Sequence, residues 1–138
     1  MLAPTIRRFS PADLSDKSAW VLQRLRLLYA NKSEITLGYY TKYGDGGVDV
    51  LPIGGLVKSE VRALGRELGV PAQVIEKAPS AGLWIGQTDE AEMGFTYDTL
   101  EQYLTHGRSA VPAAVANRIE QLRAASDHKR ALPPIAPA

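Results

Sequence analysis

The chain has 138 residues, with 16 lysines and arginines against 15 acidic residues and no cysteine. A net charge of +1 argues against a dedicated nucleic-acid binder, which presents a strongly basic face. The lack of thiols removes disulfides, cysteine nucleophiles and thiolate metal sites, and no apolar run approaches the ~20 residues of a membrane span. This length makes one domain or part of one, able to bury a modest core.

Residues 1–17 read as a loose lead-in. Pro4 and Pro11 oppose continuous helix. Ser10 and Pro11 suit the cap and first position of a single turn. Arg7 and Arg8 are not followed by the apolar core of a signal peptide. From residue 18, Trp20, Val21, Leu25, Leu27, Leu28 and Tyr29 mark an amphipathic helix carrying Arg24 and Arg26. No glycine or proline lies between Ser18 and Leu37. One long helix is therefore predicted to run through Ala30 and Asn31 as far as Tyr40, although Asn31 and Ser33 have the chemistry of caps.

The next stretch, NKSEITLGYYTKYGDGGVDVLPIGGLVK over residues 31–58, is the densest in unusual residues. Residues 48–53 form the best strand candidate, an edge strand because Pro52 cannot donate to a ladder. Without neighbours it would stay unpaired or pair with a second copy. Leu56, Val61, Leu64 and Leu68 recur at helical spacing up to Gly69, a natural helix stop. Pro71 opens a short helix reaching Glu76 or Lys77. Residues 78–88 form a loop with Trp84 as its expected anchor. Residues 89–93 make a short helical turn, and Thr96 opens a helix to about Leu104 with Leu100 and Tyr103 facing inward. A last helix runs from Pro112 to about Ala125, with Val115, Ile119 and Leu122 as its apolar stripe. The proline-rich residues 132–138 read as a tail. Three regions result: the lead-in 1–17, a main region 18–130 and a tail 131–138.

Acids and a lysine around a glycine-rich turn suit a phosphate-and-magnesium site, but the same residues also serve as ordinary turn punctuation and solvated charge. The order of the residues narrows the choice. The 31–58 stretch, together with KAPSAGLW over 77–84, GQTDE over 86–90, and His128-Lys129-Arg130 near the end, resembles the ammonia-dependent NAD synthetases. These are ATP-dependent amide ligases of the adenine-nucleotide alpha-hydrolase-like fold. The resemblance covers about residues 20–135 in family order. It implies an α/β family fragment that is mostly α, with several helices and at most one or two short strands.

By that resemblance, Glu34 is the magnesium ligand, and Lys58 and Ser80 contact ATP. Arg24, Lys42, Asp49, His128 and Lys129 contact deamido-NAD, the guanidinium suiting phosphate because it can donate two parallel hydrogen bonds. The substrates implied are deamido-NAD, ATP and ammonia. A homodimer in the cytoplasm is expected, with no nucleic-acid or membrane partner.

Two departures stand against the resemblance. The family's strand and Thr-Gly pair before the NKSE motif are absent, as Tyr29-Ala30 lead straight into Asn31. The pyrophosphate-binding run Ser-Gly-Gly-x-Asp-Ser, which supplies backbone N–H groups and a second magnesium carboxylate, does not occur in these 138 residues. The expectation is therefore a ligase fragment inactive alone. The alternative is a helical module that binds a dinucleotide or dimerises without catalysing ligation.

Overall fold

The computed structural model describes residues 29–44, 46–133 and 135. Among them the chain is helical: α1 (Lys32–Leu37), α2 (Lys58–Glu67), α3 (Ala72–Ile75), α4 (Asp89–Met93), α5 (Tyr97–His106), a 3-10 turn (Arg108–Ala110), α6 (Ala113–Ala125) and α7 (Asp127–Arg130). No described helix is long and apolar enough to cross a membrane.

The predicted long helix does not pass through Asn31. Tyr29 and Ala30 are non-helical, and Asn31 adopts an extended backbone with φ −94° and ψ 172°. Its side chain accepts the Glu34 N–H at 3.1 Å while Glu34 accepts the Asn31 N–H at 3.0 Å. This reciprocal cap satisfies two otherwise orphaned donors, and it outweighs the mere absence of glycine and proline. The part of the prediction over residues 18–28, like the lead-in 1–17, lies outside the described residues. α1 then stops at Gly38, whose φ of +65° and close approach to Ser126 leave no room for a side chain.

The expected strand at 48–53 is also corrected. Val50 forms an isolated bridge, and residues 52–55 turn, with Gly54 N–H donating to the Leu51 carbonyl and Leu56 N–H to that of Ile53, both at 3.0 Å. No strand occurs among the described residues, so this apolar run has no ladder to extend there. Trp84 is no anchor. It is 57 % exposed, on a loop tip with exposed Leu83 and Ile85.

Elsewhere the periodicity reads well. α2 ends at Glu67, with Leu68 as its C-cap and Gly69 at φ +74°, and α3 follows Pro71. Thr88 and Thr96 cap α4 and α5 through their hydroxyls. Pro112 precedes α6. The short α7 goes beyond the expected last helix. The core is built from Leu37 of α1, Met93 of α4, Phe95, Tyr97 and Leu100 of α5, and Ile119 of α6. Tyr103 and Val115 pack on its edge. Burying each large member contributes roughly 1.5–3 kcal/mol, and this cluster fixes α1, α4, α5 and α6 relative to one another.

A candidate nucleotide cleft and its neighbouring groove

Three hydrogen-bonded ties bring distant segments to one place. The Lys32 N–H donates to the Leu56 carbonyl at 2.8 Å, which sets the start of α1 beside the start of α2. Glu101 of α5 accepts from the Ser59 N–H at 2.8 Å and the Ser59 hydroxyl at 2.5 Å, pinning the first turn of α2. The Asp89 N–H donates to the Pro79 carbonyl at 3.0 Å, which draws the 78–80 segment against α4.

The result is an open cleft of about 420 Å³. Glu34, Lys58 and Ser80, three residues that the resemblance singled out, all line it. Lys58 Nζ is 3.0 Å from Glu34 Oε1, with side chains 20 % and 17 % exposed. The capping box that starts α1 therefore also aims Glu34, since its other oxygen is held by the Asn31 N–H. Ser80 is exposed, its hydroxyl accepting the Gly82 N–H at 3.0 Å. Val61, Gly65, Val70, Val74 and Ile75 give one wall an apolar surface, and Arg62 and Lys77 add cations. An apolar wall beside several cations has the chemistry of a site for a base and its phosphates.

Asp89 also lines this cleft, and reading the sequence did not single it out as a site residue. It is 6 % exposed. Its Oδ2 accepts the Tyr97 hydroxyl at 3.0 Å, whereas its Oδ1 is buried without a hydrogen-bond partner. Burial pushes its carboxyl above the usual range, the Tyr97 hydrogen bond and the Lys58 charge oppose this, and the Glu34 charge adds to it. Burial, with the Asp89 charge next, pushes the Tyr97 phenol up as well. Tyr97 in turn lies beneath Lys58, with Nζ 5.2 Å from the ring centroid. The only signal for Asp89 in the sequence was its place in the GQTDE block.

The implied magnesium can be tested against these groups. Two carboxylates line the cleft, and one has an orphaned oxygen. No group of three or more metal-ligating side chains occurs among the described residues. A hard cation held by one or two carboxylates plus substrate phosphates fits that donor set, and a dedicated protein cage does not.

A second space, a groove of about 340 Å³, contains Asp49 and Lys129 together with Ile35 and Tyr40. Lys129 Nζ donates to the carbonyls of Gly38 and Tyr40, both at 2.6 Å, and stands 5.4 Å from the Tyr40 ring centroid. Its ammonium thus holds the exit of α1. The remaining residues are not gathered there. Lys42 sits beside the exposed Tyr43 ring, with Nζ 5.4 Å from its centroid, and lines neither space. His128 is exposed, its Nδ1 3.2 Å from the Ala125 carbonyl at the end of α6. Arg24 lies outside the described residues.

Comparison with known proteins bears on what these spaces serve. The family model for NAD synthase matches residues 17–133. The NH(3)-dependent NAD(+) synthetase of Carboxydothermus hydrogenoformans is 50 % identical over 105 residues, covering 76 % of this chain and 42 % of that one. That of Syntrophomonas wolfei is 50 % identical over 119 residues, covering 86 % and 47 %. Among solved structures, an NMN synthetase from Francisella tularensis superposes with a TM-score of 0.77 at 43 % identity, covering 86 % of this chain and 50 % of that one. The chain spans about half the length of the curated relatives it matches.

Proposed function

The chain belongs to the NAD synthase family, a family of ligases, and we propose that it carries the magnesium-nucleotide and dinucleotide contacts for ATP-dependent amidation of deamido-NAD in NAD biosynthesis. In that reaction the nicotinate carboxylate attacks the α-phosphorus of ATP and expels pyrophosphate. Ammonia then attacks the acyl carbon and expels AMP, leaving the amide. The one observation that carries this reading is the convergence of Glu34, Lys58 and Ser80, from three separate segments, on a single cleft.

Each residue has a role that its chemistry supports. Lys58 offers a cation to the phosphates, and Ser80 a hydroxyl. Glu34, oriented by Asn31, holds magnesium, with Asp89 close by. Bound magnesium would neutralise charge moving onto pyrophosphate as it leaves. In the groove, Asp49 accepts from the dinucleotide and Lys129 offers a cation, with Arg24, Lys42 and His128 as further contacts. The mononucleotide named for the Francisella protein makes nicotinate mononucleotide a second acceptor to compare with deamido-NAD.

The test is ligation and binding on the same preparation. With ATP, magnesium, ammonia and either acceptor, these 138 residues are expected to give no amide, because the Ser-Gly-Gly-x-Asp-Ser run is not among them. Calorimetric titration is expected to show that magnesium-ATP binds and that Lys58→Ala abolishes it. Deamido-NAD is expected to bind more weakly to Lys42→Ala. Appreciable turnover would remove the inactive-fragment reading, and absence of any nucleotide binding would remove the site.

A further inference from the structure

The cleft carries the cations Lys58, Arg62 and Lys77, and Lys58 is the one ion-paired with a cleft carboxylate, Glu34. Glu34 and Asp89 both line the cleft, and Lys58 brings one ammonium against the two carboxylates. That ammonium is committed to Glu34 Oε1 at 3.0 Å, with the Tyr97 ring beneath it. Asp89 is held from behind by the Tyr97 hydroxyl on Oδ2, and its Oδ1 is buried without a partner. The Tyr39 hydroxyl, which donates to Glu92, also lies close to Asp89. A carboxylate oxygen taken out of water and left unmatched is costly. Asp89 lines the cleft and feels the charge of Glu34, so its unmatched oxygen is a candidate ligand for a cation that enters there.

We propose that the Lys58 ammonium is a resident stand-in for a divalent cation, occupying a seat shared by Glu34 and the free oxygen of Asp89, and that a hard cation and the ammonium exclude each other there. With the cation absent, Lys58 holds Glu34 in place. With the cation seated on Glu34 and Asp89, Lys58 is released along the cleft toward phosphate. Lysine suits this exchange because its ammonium is a point charge on a flexible stem, not a fixed fork. The same swing would prevent Lys58 from gripping a nucleotide that arrives without its metal. This inference rests on the reading of the cleft as the magnesium-nucleotide end of the site, and it assigns Asp89 a role that the family motif did not.

The experiment uses manganese alone, with no nucleotide, so that its result is independent of ATP binding. Free manganese is followed by electron paramagnetic resonance as the 138-residue chain is titrated. Lys58→Met keeps an apolar stem over Tyr97 but removes the competing charge, and is expected to bind manganese about tenfold tighter than the unaltered chain. Adding Asp89→Asn to Lys58→Met is expected to lose that gain about fivefold or more. A purely structural Lys58 predicts the opposite, weaker or unchanged binding, and that result overturns the proposal. So does equal manganese binding with and without Asp89→Asn.

The unaltered chain gives a check free of any folding defect. Manganese at low occupancy is expected to broaden the amide signals of Glu34, Lys58 and Asp89 first, and saturating magnesium to shift the side-chain nitrogen signal of Lys58. Broadening centred elsewhere, or an unmoved Lys58 signal, overturns the exchange. If manganese behaves as expected but magnesium-ATP fails to bind, the cation seat stands and the nucleotide reading falls. If magnesium-ATP binds while Lys58→Met gains no affinity for manganese, the reverse holds.

Discussion

Asn31 shows how one residue can set both a fold boundary and a site. It is 1 % exposed, and its side chain starts α1 while its own N–H holds the carboxylate of Glu34. Asn31→Ala removes an N-terminal cap and leaves the Glu34 N–H without its partner. A loss of about 1–2 kcal/mol is expected in urea unfolding. The same variant frees Glu34 to turn, so magnesium-ATP binding should weaken even where the chain remains folded. Asp89 leads to a prediction of the opposite sign. Burial raises its folded-state pKa above the ordinary carboxylate value. The stability linked to this group is therefore fully present below the unfolded pKa, near 4, and is lost as pH rises through the higher folded one. Asp89→Asn is thus expected to melt higher than the unaltered chain at neutral pH, the difference closing toward pH ~4. A melting temperature for the variant that is lower at pH 7 would show that the charged carboxylate is stabilised by its neighbours. A buried carboxylate with an unmatched oxygen that lines the cleft is a natural candidate for binding.

At the scale of elements, α7 acts as a latch on the end of α1. Lys129 serves the Gly38 and Tyr40 carbonyls, and Arg130 Nη1 serves those of Ile35 and Thr36 at 3.0 and 3.1 Å. The two cations from the far end of the chain give the Thr36 and Tyr40 carbonyls a donor and add a second to those of Ile35 and Gly38, which already accept the Gly38 and Tyr40 N–H groups. Lys129→Met is expected to cost about 1–3 kcal/mol, with faster amide exchange concentrated in 38–41. Unchanged exchange there would make Lys129 a ligand residue only. This latch was hidden in the sequence because α7 has four residues and no apolar stripe. The longer helices were legible because α2, α5 and α6 combine apolar spacing with a recognisable stop or start, such as Gly69, Thr96 and Pro112. At the junction the cap signal is Asn31 with Glu34 three residues on, and this pairing outweighs the absence of helix breakers. The 48–53 strand failed for another reason. Apolar β-formers become a strand only when a neighbour completes the ladder, and that information is not local. Motif order drew attention to Glu34, Lys58 and Ser80, which the fold brings to one cleft. It did not draw attention to Asp89, whose burial depends on α4, α5 and the cleft meeting in space.

On the scale of the whole molecule, α1 is the wall between the two spaces. Glu34 lines the cleft and the next residue, Ile35, lines the groove. This six-residue helix is held at its start by the Leu56 tie and at its end by α7. A helix so short has little stability of its own, so ordering it for one ligand lowers the entropic cost of binding the other. Each ligand alone, at about 100 times its dissociation constant, should add ~2.7 kcal/mol by mass action. At an unfolding entropy of ~2.1 cal/mol/K per residue, that corresponds to a rise in Tm of about 9 °C for 138 residues. Magnesium-ATP and the dinucleotide together are expected to raise Tm by more than the sum of the separate shifts. Coupling of this kind is reciprocal, so calorimetry should find magnesium-ATP tighter with the dinucleotide bound, and the dinucleotide tighter by the same factor with magnesium-ATP bound. Asn31→Ala, which loosens α1 without touching the groove, should reduce the excess while leaving some of each separate shift. Strictly additive shifts in the unaltered chain would mean that the cleft and the groove ignore one another, and that α1 is a partition and nothing more.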